Sequence, residues 1–191
     1  MKIFALPLFF FFTLTGLADE SQRKIAFKRG NSVWVANLDG TVETKIAQGS
    51  CPDIAPDGRR LAFNTDKEFT IPNPPKRHIA VADLATNNVT IFEKIPSDNC
   101  CRPVWSPDGS KLVFLIWAEE RWRLGIINAD GSGFYLLKDA SVKADPLYKF
   151  GTFWEPAWAR DGMSIFCHDM SNIYCIDAHG NILKKWALSE L

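Results

Sequence analysis

The chain has 191 residues, and its 22 basic and 22 acidic residues balance to zero net charge at neutral pH. Neither sign forms a long run. That excludes the basic patch a nucleic-acid binder needs to neutralise phosphates. Aromatic residues are plentiful, seven of them Trp, which points to large rings packed between sheets with some left for a surface.

In chain order the first element is a leader. Lys2 precedes an apolar run over residues 3–17, and Gly16 and Ala18 stand at the −3 and −1 positions of a cut before Asp19. This is the pattern of a secretory signal over residues 1–18. The run of about fifteen apolar residues is shorter than the roughly 20 that span a bilayer, and no Cys follows it to carry a lipid. No later stretch is apolar enough to span a membrane, so no stable membrane insertion is expected. Residues 19–191 are enough for one domain with its own core. Export places the protein in the periplasm or, alternatively, outside the cell, where thiols oxidise. Five Cys are an odd number, so at least one is left over from intrachain pairing.

After the leader comes a repeat. Three segments align without gaps: Pro-Asp-Ile-Ala-Pro-Asp-Gly (52–58), Pro-Val-Trp-Ser-Pro-Asp-Gly (103–109) and Pro-Ala-Trp-Ala-Arg-Asp-Gly (156–162). Each leads at one spacing into a short β-type run, at 61–63, 112–114 and 165–167. The run at 24–27 matches this second element alone. A further strand follows each run, usually ending in a tight turn, at 33–40, 79–84, 124–131 and 173–180. A closing strand then covers 42–47, 89–92, 134–137 and 182–186. Pro-Asp-Gly supplies a preset φ, a side chain that bonds the local backbone and a residue free to take φ > 0. Asp-Gly between apolar runs signals a hairpin. The strands are apolar on both faces, as sheets packed between sheets must be, and helical periodicity is absent. Four strands per repeated unit is the signature of propeller blades.

The pattern P-x-W-S-P-D-G-x-x-[LIV]-x-F, followed by I-Y-x-x-[ND]-x-D-G, resembles the TolB-type, WD40-like propeller repeat. Residues 103–114 match it almost letter for letter. The second copy departs at Ile54 and Ala55, and the fourth at Ala159, Arg160 and Cys167. The resemblance covers residues 23–187 and implies an all-β, propeller-like array of about four antiparallel blades. It does not imply one function, because this repeat serves transport-associated proteins, peptidases and binding proteins alike. TolB itself carries an α/β domain before its propeller, and such propellers usually close with six or more blades. Here three full units and one partial unit give about fifteen strands, and the first unit lacks its Pro-rich strand. Three architectures fit: a compact four-bladed ring with one three-stranded blade, an open arc whose edge pairs with a partner or another copy, and a truncated propeller.

Trp105, Trp158, Phe27, Phe63 and Phe114 hold repeat positions and are expected in the core. Asp57, Asp108 and Asp161 precede Gly in tight turns, which makes them turn residues rather than a carboxylate ring. Among His78, His168 and His179, only the grouping of Cys175, Asp177 and His179 with Cys167 and His168 resembles metal ligands. Asp177 to Gly180 fills the ordinary turn slot of the repeat, so no metal is expected. Cys167 with Cys175, on adjacent strands of one hairpin, is a disulfide candidate subject to geometry. Cys51 with Cys100 or Cys101 is a second, between blades. It would close a loop of about fifty residues, with roughly 2 to 4 kcal/mol of stabilisation.

No Gly-x-Ser-x-Gly nucleophile and no Gly-rich phosphate loop is present, so neither catalysis nor a cofactor is expected. The insertions remain, where function sits on a repeat scaffold. Residues 65–77 carry a stiff Ile-Pro-Asn-Pro-Pro. Residues 117–122 form a hairpin tip with Trp117, Arg121 and Trp122. Residues 139–154 hold Tyr148, Phe150 and Trp154. Trp, Tyr and Arg dominate protein-binding hot spots. The leading expectation is a non-enzymatic module of the bacterial cell envelope that presents these loops to a protein partner. The alternatives are an immunity or inhibitor protein that blocks a wall-degrading or antibacterial enzyme, a carbohydrate binder or enzyme using the aromatic loops, and a subunit that self-associates through an open sheet edge.

Overall fold

A computed structural model describes residues 23–65, 76–137 and 153–190. The proposed leader lies outside them. Among the described residues there are fifteen strands, no α-helix, and four antiparallel sheets laid out in chain order. Among those residues no helix is long and apolar enough to cross a membrane.

The first sheet holds β1 (Lys24–Arg29), β2 (Ser32–Asn37) and β3 (Thr44–Gln48). The second holds β4 (Ser50–Ile54), β5 (Arg60–Asn64), β6 (Ile79–Asp83) and β7 (Val89–Ile91). The third holds β8 (Cys100–Trp105), β9 (Lys111–Ala118), β10 (Arg121–Asn128) and β11 (Tyr135–Leu136). The fourth holds β12 (Trp154–Trp158), β13 (Ser164–His168), β14 (Asn172–Asp177) and β15 (Ile182–Ala187), closed by a short 3-10 turn at Leu188–Glu190. Sheets two to four are each a four-stranded meander, and the first lacks the innermost strand, as the repeat implies.

The turns work as their residues dictate. Gly58, Gly109 and Gly162 share one φ of 68°, a left-handed value that favours Gly. The preceding Asp57, Asp108 and Asp161 each accept the backbone N–H two residues on, at 2.8 to 3.0 Å. Asp39, Asp130 and Asp177 do the same in the second turn of their units. These six carboxylates are therefore turn fasteners.

Successive side chains of a strand face opposite ways, and both faces of the inner sheets are used. Leu61 and Phe63 meet Val33 and Val35 of the first sheet, while Ala62, Ile79 and Val81 meet Leu112, Phe114 and Ile127 of the third. Val113, Leu115, Leu124 and Ile126 then face Ile165, Cys167, Tyr174 and Ile176 of the fourth. Gly125 lets Phe114 and Phe134 close over β10, since a Cβ there would stand 3.0 Å from both rings.

The indole positions add a directional link. Trp105 Nε1 donates to the carbonyl of Asp53 at 3.1 Å, and Trp158 Nε1 donates to the carbonyl of Val104 at 3.2 Å. Asp53 and Val104 hold the same repeat position, so each inner strand is tied to the one before it. Ile54 stands where the second unit would carry its Trp, facing a sheet without that strand.

Strand packing runs from β1 to β4, from β4 to β8 and from β8 to β12. Among the described residues no strands of the first and fourth sheets pack against each other in this way, so the array is an open arc. The compact four-bladed ring is not formed. Two core expectations change. Trp158 is only partly buried, packed at the margin of the core between the third and fourth sheets. Phe27 is only half-buried, because the face it occupies has no neighbouring sheet.

Candidate functional site

Two features converge at one end of the blades. β9 and β10 pair Trp117 with Trp122 and Ala118 with Arg121, joined by a two-residue turn of Glu119 and Glu120. Both glutamates have positive φ, 53° and 63°. This backbone suits the twist of a hairpin but normally selects Asn-Gly or Asp-Gly. Trp117 and Trp122 meet edge to face at 5.5 Å, and Trp154, at the start of β12, joins them 6.2 Å from Trp122. The Arg77 guanidinium lies over the Trp122 ring at 5.5 Å, held by a hydrogen bond from its Nε to Asn99 Oδ1. Arg123 donates to Glu119 at 2.6 Å and to the Leu137 carbonyl at 2.8 Å. Arg121 comes within 3.8 Å of the same glutamate. The three Trp are half-buried, so each offers ring surface while its position is fixed by neighbours.

The second feature lies on the inner strands. β4, β8 and β12 each slip register once, between Ser50 and Asp53, Cys101 and Val104, and Trp154 and Ala157. Inside each bulge sits one residue in the left-handed region: Cys51 (φ 52°), Arg102 (φ 56°) and Glu155 (φ 49°). Each immediately precedes a Pro. Such backbone costs on the order of 1–3 kcal/mol per residue and persists only where the surroundings hold it. Here Asn64, wholly buried, accepts the Arg102 N–H and donates to Ser50 Oγ. All three bulge residues and the prolines after them line one groove of about 300 Å³. Arg102 and Glu155 form an ion pair across it, and the hydrogen bond to Glu155 raises the Arg102 pKa. Asp53, also lining the groove, accepts the Trp105 backbone N–H at 2.8 Å, and its burial pushes its carboxyl above the usual range.

Of the residues singled out in the sequence, Trp117, Arg121, Trp122 and Trp154 come together in this cluster, although they belong to two insertions. Tyr148 and Phe150 lie outside the described residues. The five cysteines form no disulfide. Cys167 pairs with Tyr174, and Cys175 pairs with Phe166. Cys167 and Cys175 are therefore one step out of register and face opposite sides of the sheet. Cys100 and Cys101 are buried on opposite faces of β8, while Cys51 points into the groove. Burial pushes the Cys100 and Cys167 thiols up to about 12, which leaves them poor nucleophiles. His168 Nδ1 accepts the Met170 N–H at 3.2 Å. Among the described residues, no three His, Cys, Asp or Glu side chains gather as a metal site.

Arg102 and Glu155 escape the sequence reading, and Cys51 enters it only as a disulfide candidate, because each lies one residue outside the aligned segments. The available signal is a fixed position just before the first Pro of every repeat, filled by three different polar residues.

No family model matches the chain, and no curated protein matches its sequence. Solved structures match its fold. TolB from Acinetobacter baumannii aligns with a TM-score of 0.57 at 18% identity, over 82% of this chain and 38% of that one. A putative TolB from Agrobacterium tumefaciens aligns at 0.61 and 14%, over 82% and 57%. Oligogalacturonate lyase from Vibrio parahaemolyticus aligns at 0.64 and 12%, over 88% and 51%. The chain spans between about a third and three fifths of the length of these structures. The protein is thus an all-β array of the TolB-like propeller fold, a fold that TolB and a lyase share.

Proposed function

We propose that the protein is a non-enzymatic binding module of the cell envelope and that the Trp117–Trp122–Trp154 cluster is its contact surface for a protein partner. The observation that carries this reading is the convergence of three half-exposed indoles, flanked by Arg77, Arg121 and Arg123, on a strained hairpin tip. Rigid aromatic anchors ringed by arginine are the chemistry of protein hot spots. The propeller supports it from below, because both Trp117 and Trp122 stand on long paired strands rather than on a loose loop. The leader-like pattern of residues 1–18 supports an envelope location, in the periplasm, and a partner there. In its sharper form the partner is an antibacterial or wall-degrading enzyme that this end of the arc plugs.

The test is retention of envelope proteins on the immobilised full chain and on a Trp117→Ala, Trp122→Ala variant whose melting temperature is first checked. One stoichiometric partner is expected, with at least about thirtyfold weaker binding by the variant, since hot-spot truncation costs about 2 kcal/mol or more. Unchanged binding by a folded variant would remove the cluster from the interface. Retention on murein that free sugar competes away would favour a carbohydrate surface instead.

A further inference from the structure

We propose that the two open ends of the arc are complementary and that two copies of this chain join fourth sheet to first sheet, closing a ring of eight sheets. The inference starts from the three internal junctions, which are all built the same way. The second and fourth residues of the motif strand look back at the preceding sheet: Leu61 and Phe63, Leu112 and Phe114, Ile165 and Cys167. The third residue looks forward: Ala62 and Val113, both wholly buried. Every junction is therefore a forward face against a backward face, never like against like.

Among the described residues, each end of the arc displays one of these two faces without its counterpart. On the first sheet the backward positions are Ile25 and Phe27, and the register places Ala36 and Trp34 beside them. Ile25 is 38% exposed, whereas its counterparts Leu61 and Leu112 are at 0%. Arg29 lies over both Phe27 and Trp34, at 5.0 and 5.2 Å. Trp34 Nε1 is covered yet makes no hydrogen bond. On the fourth sheet the forward position is Phe166, 38% exposed, where Val113 is at 0%. It stacks on Trp186 at 6.2 Å, and the register sets Cys175 opposite it and Ile173 opposite Trp186.

An apolar face of this type is costly in water and stable against its counterpart. A second copy carries that counterpart in the required orientation, because its ends are the same two faces. A two-fold arrangement makes two identical fourth-to-first junctions, and closure leaves no face bare.

Sedimentation velocity of the purified full chain, from roughly 1 to 100 µM, tests this in the range of ordinary dimer constants. A particle of twice 21.5 kDa is expected. Phe166→Asp and Ile25→Asp should each weaken it by at least about tenfold, with melting temperatures close to wild type. An equimolar mixture of the two variants should recover a dimer, because one junction of the mixed pair keeps both native faces. Should Asp at either site unfold its sheet, Phe166→Ser and Ile25→Ser serve the same comparison. A monomer across the whole range overturns the proposal. So does a dimer indifferent to both substitutions, a mixture that stays monomeric, or oligomers that grow without limit.

Discussion

The third and fourth sheets carry nearly the same repeat and meet different surroundings. Along β9, Leu112, Val113, Phe114, Leu115 and Ile116 are all between 0 and 1% exposed, because a sheet lies on each side. Along β13, Ile165 and Cys167 are buried while Phe166 between them is 38% exposed. The local sequence is apolar at every one of these positions. Burial in a stacked array is thus a property of the neighbour as much as of the strand, and each repeat is a half-finished junction until the next sheet arrives.

The strongest way to break the comparison is to cut a phenyl ring from each sheet. Phe114→Ala removes a wholly buried side chain between two sheets, packed near Phe134. It should cost about 3–5 kcal/mol in urea unfolding. Phe166→Ala should cost less than about 1 kcal/mol in the monomer, since its ring already faces water. Equal costs would mean that the fourth sheet's outer face is covered in solution.

A smaller effect sharpens the link between inner strands. Trp105→Phe keeps most of the ring but deletes the N–H that reaches the Asp53 carbonyl, and Trp158→Phe deletes its equivalent to Val104. Each should lose about 1 kcal/mol, the net worth of one hydrogen bond. Trp105 also supports the Arg60 guanidinium at 4.6 Å, a stacking a Phe ring preserves in part. A loss at 105 with none at 158 would show that the two junctions are not equivalent.

Much of this architecture was legible in the chain because the repeat writes each turn twice. An Asp-Gly turn opens the motif strand of three units, and a second turn follows the next strand of most of them, so strand number and order follow largely from spacing. Two things were not legible. Whether the ring closes depends on packing between residues far apart in sequence, which no local pattern encodes. Phe27 looked like Phe63 and Phe114 for that reason, and only its missing neighbour sets it apart. The cysteines failed differently: Cys167 and Cys175 are on adjacent strands as expected, but a one-residue offset turns their side chains to opposite faces. At the candidate site, Trp117 and Trp122 were visible as a hairpin tip. The groove that Cys51, Arg102 and Glu155 line was not, because a bulge alters what faces inward without changing residue type.

The smallest difference between the two sheets lies in their first turns. Ser106 donates its hydroxyl to Asp108 at 2.6 Å, and Ser110 donates both its backbone N–H and its hydroxyl. The Ser106 bond is the leading cause that holds the Asp108 carboxyl down at about 2. In the fourth sheet Ala159 replaces that Ser, and Asp161 is lowered chiefly by the Met163 and Ser164 backbone N–H groups. Asp108 has a depressed folded pKa, so its contribution to stability is complete above its unfolded value near 4 and is lost as pH falls towards 2. Ser106→Ala should raise the Asp108 titration midpoint and shrink this acid-labile contribution. Ala159→Ser should lower the midpoint of Asp161. Carboxyl chemical shifts followed from pH 6 to pH 2, about the range that brackets both forms, read both effects directly. The surface position of these turns keeps the stability change small, so the titration is the decisive measurement. An Asp108 midpoint unmoved by Ser106→Ala would transfer its stabilisation to the Ser110 contacts that both sheets imitate.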